Sequence, residues 1–272
     1  MTSSHFFISY SGNKRFEYKY LDPFLNFDGV ENIIEPFCGS SAISFNIWMK
    51  YPHLNFYLND INTNLINIYN LFKKYETEEI YDNLNDLKRK YCNPDDYKKF
   101  VKSLDKEKEI DPFIYFFISR LSLITPFSGM MHFENYNKKN DFFKLTKLQL
   151  KFIEFIRSPN VYISNDDWFV LFDKYKYDTN TMFVIDPPYI KSDNSFYNKQ
   201  GRNTYDDNVY KYFEKNKITT FNSKIFVILE LIAENNEIFG EDNIIETYDK
   251  EYKLSKKKTK HAIFSNLNLT QK

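Results

Sequence analysis

Two textures of apolar and polar positions divide the chain. From residue 30 to 74, short apolar runs alternate with helical stripes. Val30 to Glu35 reads as a strand ending in an acid, Ala42 to Lys50 as a helix, and Leu54 to Leu58 as a second strand running into Asn59 and Asp60. From Asn62 to about Lys74, apolar Leu65, Ile66, Ile68, Tyr69 and Phe72 recur at helical spacing. Strand, loop, helix, strand and acid in this order begin a Rossmann-like nucleotide site.

From about Tyr75 to Asn160 the texture changes. Charged and apolar segments alternate without a β-period, which predicts helices at Glu78 to Tyr91, Asp95 to Leu104, Asp111 to Leu123 and Thr146 to Ile156, with a break at Thr125 to Gly129. Strand texture returns at Val161 to Ser164, Met182 to Ile185 and Lys224 to Leu229. A long polar loop is predicted at Lys191 to Asp207. Ile244 to Tyr252 and His261 to Ser265 are expected to pair antiparallel around Lys256 to Lys258. The expected architecture is α/β. Residues 1–74 and 161–272 form one domain, and residues 75–160 form a helical insertion.

The strongest chemical signal is Asp186-Pro187-Pro188-Tyr189, directly after the apolar run Met182 to Ile185. Each proline fixes its own φ and lacks an N–H, and Pro188 also restricts Pro187. The loop is therefore stiff, with carbonyls left beside a carboxylate and an aromatic ring. That suits a planar ligand carrying an amino group. The acid and a carbonyl accept the two N–H bonds, and the ring stacks.

The first half of the chain offers a partner site. Glu35-Pro36-Phe37-Cys38-Gly39-Ser40 links strand to helix. Gly39 allows close backbone approach beside a helix N-terminus. Asp60 ends the second strand, where a carboxylate can hold both hydroxyls of a ribose. A plain crossover between parallel strands is the bland alternative. The loop lacks Gly-x-Gly-x-x-Gly, so a nucleoside without a pyrophosphate fits better than a dinucleotide. Tyr10-Ser11-Gly12-Asn13-Lys14-Arg15 reads as a solvated loop, or as a backbone approach at Gly12 with Lys14 paired to a carboxylate. After Val161 to Ser164 come Asp166 and Asp167. These are ordinary helix caps or, with Asp167 favoured over Asp166, acceptors for an adenine amino group or a ligand hydroxyl.

Composition narrows the remaining options. The chain has 272 residues with 37 basic and 37 acidic side chains, a balance that neither requires nor excludes a nucleic-acid partner. Lys256, Lys257 and Lys258, and Arg120, Lys138 and Lys139 in the insertion, are solvated faces or DNA-phosphate contacts. Cys38 and Cys92 form no disulfide or zinc pattern. His5, His53, His132 and His261 lack metal-ligand spacing, so no metal is expected. No apolar run reaches the ~20 residues of a membrane span, and no signal-peptide layout is present. An intracellular, cytoplasmic setting is the expectation.

Together these elements resemble the Dam-type (D12 class) DNA adenine-N6 methyltransferases. The likeness is carried in order by Tyr10 to Arg15, Glu35 to Ser40, Leu58 to Asn62 and Phe183 to Tyr189. It implies a Rossmann-like methyltransferase sheet with an inserted helical DNA-recognition domain, S-adenosyl-L-methionine as cofactor and double-stranded DNA as partner. It leaves a cognate restriction endonuclease open. By the resemblance, Tyr10, Gly12 and Lys14 hold the methionine part of the cofactor. Glu35, Phe37 and Gly39 line it, Asp60 binds the ribose, and Asp167 lies near the cofactor adenine. Asp186 and the Pro187 carbonyl, followed by Pro188, hold the target amino group, and Tyr189 stacks on the flipped base. The chain departs from the family pattern at Asn13 and Ser41. Its region Gly129 to Phe143 lacks the family's arginine-and-asparagine texture, and the family's strand ending in Ser-Asn is replaced near Glu234-Asn235-Asn236. An RNA-adenine or protein-glutamine methyltransferase, and a non-catalytic binding protein of the same fold, are the rival readings. Asn is usual at the first loop position of glutamine enzymes, so Asp186 disfavours that option.

Overall fold

The apolar runs become the strands of one sheet. The computed structural model describes residues 14–91, 93–105, 108–122, 127, 145–190, 208–251 and 258–267. β1 (Asn32–Glu35), β2 (Asn55–Asn59), β3 (Val161–Ser164), β4 (Thr181–Ile185), β5 (Lys224–Glu230), β6 (Ile244–Glu251) and β7 (Lys258–Ser265) form a 7-stranded sheet in the order β3-β2-β1-β4-β5-β7-β6. β1 to β5 pair in parallel, while β7 runs antiparallel to both β5 and β6. The expected closing antiparallel pair is therefore present at the sheet edge.

Strand periodicity sorts side chains to two covered faces. Ile33, Met182, Val184, Phe226 and Ile228 join one apolar cluster; Ile34, Phe183, Ile185, Ile225 and Val227 join the other. Burial on both sides explains why these strands read as continuous apolar runs rather than alternating ones.

The helices follow from stripes and caps. On the first face lie α2 (Ala42–Trp48) and α3 (Thr63–Lys74), after the single-turn α1 (Tyr18–Leu21). Asn62 caps α3 by accepting the Leu65 N–H. α4 (Thr77–Lys90), α5 (Pro94–Ser103), α6 (Pro112–Leu121) and α7 (Lys147–Arg157) add to the same cluster through Ile80, Leu84, Tyr97, Val101, Phe116, Phe117, Phe152 and Phe155. Thr146 and Gln149 form a capping box at the start of α7. α7 packs on α2, α3 and β3, so this last helix of the 75–160 stretch lies on the sheet layer itself.

The opposite face carries α8 (Trp168–Tyr175), α9 (Asn208–Lys215) and α10 (Ala233–Phe239). α9 and α10 lie beyond the elements expected from sequence. α9 has a narrow stripe of Val209, Tyr210 and Phe213 in a polar frame. β5 forms where Lys224 to Leu229 predicted a strand and finishes at Glu230, and Glu234, Asn235 and Asn236, in place of the family's Ser-Asn ending, sit inside α10. The polar loop predicted at Lys191 to Asp207 lies outside the described residues. No helix among the described residues is long and apolar enough to cross a membrane.

Candidate active site

The strand order reverses between β1 and β4, since β2 and β3 lie on one side and β5 on the other. Such a switch point opens a crevice at the carboxyl ends of the strands. Glu35 ends β1, Asp60 follows β2, Asp167 follows β3 and Asp186 follows β4. Four acids flagged in the sequence thus stand along one sheet edge.

The β1–α2 turn is built around Asp60. Gly39 adopts φ +47°, and its N–H donates to Asp60 Oδ2 at 2.9 Å. A Cβ at that φ is disfavoured, which is the reason for glycine there. Asn62 N–H donates to Oδ1 at 2.9 Å. Each oxygen of Asp60 keeps a further lone pair for a ligand hydroxyl. Asn59 braces the turn by donating to the Pro36 and Asp166 carbonyls, both at 3.0 Å. Tyr69 donates to the Gly39 carbonyl. Burial raises the Asp60 carboxyl to about 6, against the pull of these two N–H bonds.

Glu35 takes a structural place beside it. Its Oε1 accepts the Ser44 N–H at 2.6 Å and so satisfies the start of α2. Burial pushes this carboxyl up to about 7, partly offset by that bond. Both acids hold protons that the unfolded chain releases earlier. Their contribution to stability is full below about pH 4 and lost as pH rises through about 6 to 7. Phe37 lies stacked near Trp168, with ring centroids 5.9 Å apart, forming an aromatic wall on the crevice.

The Asp186 loop closes the other side. Lys14 Nζ donates to Asp186 Oδ2 at 2.5 Å, and the ammonium lies 5.2 Å from the Tyr189 ring centroid. Tyr210 of α9 fixes the loop by donating to the Pro188 carbonyl at 2.9 Å. Among the described residues no donor reaches Asp186 Oδ1, although that atom is buried, and none reaches the Pro187 carbonyl. Two acceptors therefore sit unclaimed next to a half-buried ring. Burial pushes the Asp186 carboxyl above its ordinary range, and Lys14 pulls it part of the way back. For Lys14, burial works against the ammonium, but Asp186 and Glu17 outweigh it and hold the proton.

The remaining sequence candidates are placed differently. Asp167 is exposed and caps α8 by accepting the Phe169 N–H at 2.8 Å, the ordinary reading of that residue. Asp166 is exposed, with its backbone tied to Asn59. Arg120 lies half-buried in the last turn of α6, and burial lowers its guanidinium to about 10, a different setting from an open phosphate contact. Lys258 is exposed at the start of β7. Tyr10, Gly12, Lys138, Lys139, Lys256 and Lys257 lie outside the described residues. No group of three or more metal-ligating side chains occurs among the described residues.

The model of the D12 class N6 adenine-specific DNA methyltransferase family matches residues 10–263. The chain belongs to that family. A search of curated proteins finds no match. Membership makes this a DNA adenine methyltransferase by family, with an α/β methyltransferase fold. Within the D12 fold, sequence reading missed Glu17, Asn59, Trp168, Tyr210 and Lys250. Asn59 had a visible signal as the residue before the strand-ending acid. The others act through contacts across the sheet edge that no local pattern announces.

Proposed function

We propose that this site transfers a methyl group from S-adenosyl-L-methionine to N6 of adenine at specific sites in double-stranded DNA, with the target base flipped out of the duplex. The observation that carries this reading is a pair of acceptors beside Tyr189, Asp186 Oδ1 and the Pro187 carbonyl, to which no described residue donates. An exocyclic amino group has two N–H donors in one plane, matching two acceptors and a stacking ring.

The residues present fit the cofactor. Asp60 would hold the ribose hydroxyls, with Gly39 and Asn62 keeping its carboxylate in place. Phe37 and Glu35 would line the methionine side with Tyr10, Gly12 and Lys14. Asp167 would reach the cofactor adenine while capping α8. Bound there, S-adenosylmethionine supplies a methyl group on a positively charged sulfur, the electrophile of the reaction.

The protein then acts by position and charge. N6 is a weak nucleophile because its lone pair is delocalised into the purine. Acceptance of both N6–H bonds by Asp186 and Pro187 favours a pyramidal nitrogen with a usable lone pair. Flipping costs a few kcal/mol of unstacking, and a stack on Tyr189 returns ~1–3 kcal/mol. Lys138, Lys139, Lys256, Lys257 and Lys258 are the proposed phosphate contacts, without the half-buried Arg120, which makes DNA affinity fall with salt.

Labelled methyl transfer to unmodified duplex DNA tests the reading. N6-methyladenine is expected on digestion, and RNA and peptide competitors are expected to leave the signal unchanged. Cofactor binding without turnover on varied DNA would sink the proposal.

Asp60 also sets a pH dependence. Its carboxyl titrates at about 6 in the unliganded protein, and a ribose hydroxyl prefers the ionised form. Affinity for S-adenosylmethionine is therefore expected to fall as pH drops below about 6 and to level off above it. Calorimetric titrations between about pH 5 and 8 check this. Asp60→Asn is expected to bind weakly and to lose the part of the slope centred near pH 6, leaving only what Glu35 contributes near 7; an unchanged profile in Asp60→Asn contradicts the assignment.

A further inference from the structure

Beside the Lys14–Asp186 pair lies a second pair, of a half-buried lysine and a buried glutamate. Lys250, from β6, contacts Glu17 Oε1, just before α1. Lys14 and Glu17 are only 6% and 4% exposed. The cluster carries two ammonium groups and two carboxylates and is formally neutral. Glu17 Oε2 is buried, and no described residue donates to it. The Glu17 N–H donates to the Lys14 carbonyl at 3.1 Å, so one turn of backbone brings the two side chains to the same place.

The function proposed above creates a problem for Lys14. Its ammonium occupies Asp186 Oδ2. A substrate amino group on Oδ1 draws on the same negative charge and weakens the carboxylate's hold on Lys14. An ammonium buried this deeply cannot exchange one partner for bulk water without a large penalty. A second acceptor within the cluster removes that penalty. Tyr248, Tyr189, His261 and the Glu35 carboxyl also border the cluster; Glu35 is engaged by the Ser44 N–H, and outside Asp186 itself Glu17 Oε2 is a buried carboxylate oxygen to which no described residue donates.

We propose that Glu17 is a positioning residue: its Oε2 receives the Lys14 ammonium when Asp186 turns to a substrate amino group, while Lys250 holds Glu17 ready through Oε1. This rests on the function proposed above. It assigns to the chain a lysine that alternates between two carboxylates.

A thermal double-mutant cycle on the full chain tests the berth without requiring turnover. Asp186→Asn removes the first anion and Glu17→Gln the second. The double variant is expected to melt about 5 °C or more below the sum of the single losses, because only then has the ammonium lost both of these carboxylates. In a Lys14→Met background that excess should vanish. Additive losses overturn the proposal. If the double variant does not fold but its Lys14→Met counterpart does, the proposal holds; if both fail to fold, the ammonium is not the cause and the proposal falls. Turnover supplies a second readout. Glu17→Gln is expected to lower kcat about tenfold with KM for DNA unchanged, and an unchanged kcat overturns the role. A wild-type protein that transfers no methyl group refutes the proposed function, while the thermal cycle still decides the berth.

Discussion

Asp186→Ala is expected to abolish methyl transfer to DNA, with kcat falling by at least about 10³-fold. The side chain has three tasks at one point. In the proposed function its buried Oδ1, to which no described residue donates, accepts a hydrogen bond from the substrate amino group. It carries the negative charge that balances Lys14. It also sits at the carboxyl end of β4, at the strand-order switch. Alanine removes all three. Asp186→Asn separates shape from charge, since one oxygen acceptor remains while the charge is lost; a decline of about 10²-fold is expected there. Steady-state transfer of labelled methyl groups measures both, alongside a thermal melt to establish folding. Folded Asp186→Ala retaining activity within tenfold of wild type would remove this carboxylate from the chemistry.

Phe155→Ala is expected to lower the unfolding free energy by about 3–5 kcal/mol, the range for deleting a fully buried aromatic side chain. Phe155 is 0% exposed on α7. Its ring meets Phe56 of β2 edge-on at 5.5 Å, with Trp48 at 5.5 Å and Phe45 at 5.8 Å. It therefore joins the last helix before β3 to the strand that ends at Asp60. Urea unfolding should show one transition at lower midpoint with the slope kept. A loss below about 1 kcal/mol would mean that α7 is not part of the catalytic layer. That outcome would favour a helical unit extending through residue 160 and separate from the sheet. The expected large loss favours a boundary before α7, with any target-recognition unit confined to the helices upstream.

Much of the fold was legible because its signals are local. β3 was expected at Val161 to Ser164 and forms there. The helix stripe from Asn62 to Lys74 became α3 with Asn62 as its cap. α9 and α10 escaped because short amphipathic stripes in polar sequence look like loop until a sheet face is available to bury them. Their burial of Tyr210, Phe213 and Phe239 is a tertiary effect. Asp167 illustrates the opposite case. Both a helix cap and a ligand contact suit the same residue at the same position, and only geometry distinguishes the cap.

By itself the sequence determined the strands that bear acids at their ends, the stiff Asp186-Pro187-Pro188-Tyr189 loop and the family. Apolar period, proline chemistry and motif order are properties of neighbouring residues. The tertiary structure alone decided which of those acids are already engaged. Asp186 meets Lys14 across 172 residues, while Glu35 is drawn onto the start of α2. It also introduced Glu17 and Lys250, which have no motif. Sheet order, not sequence spacing, sets which charges are buried together, and burial makes their pairing matter.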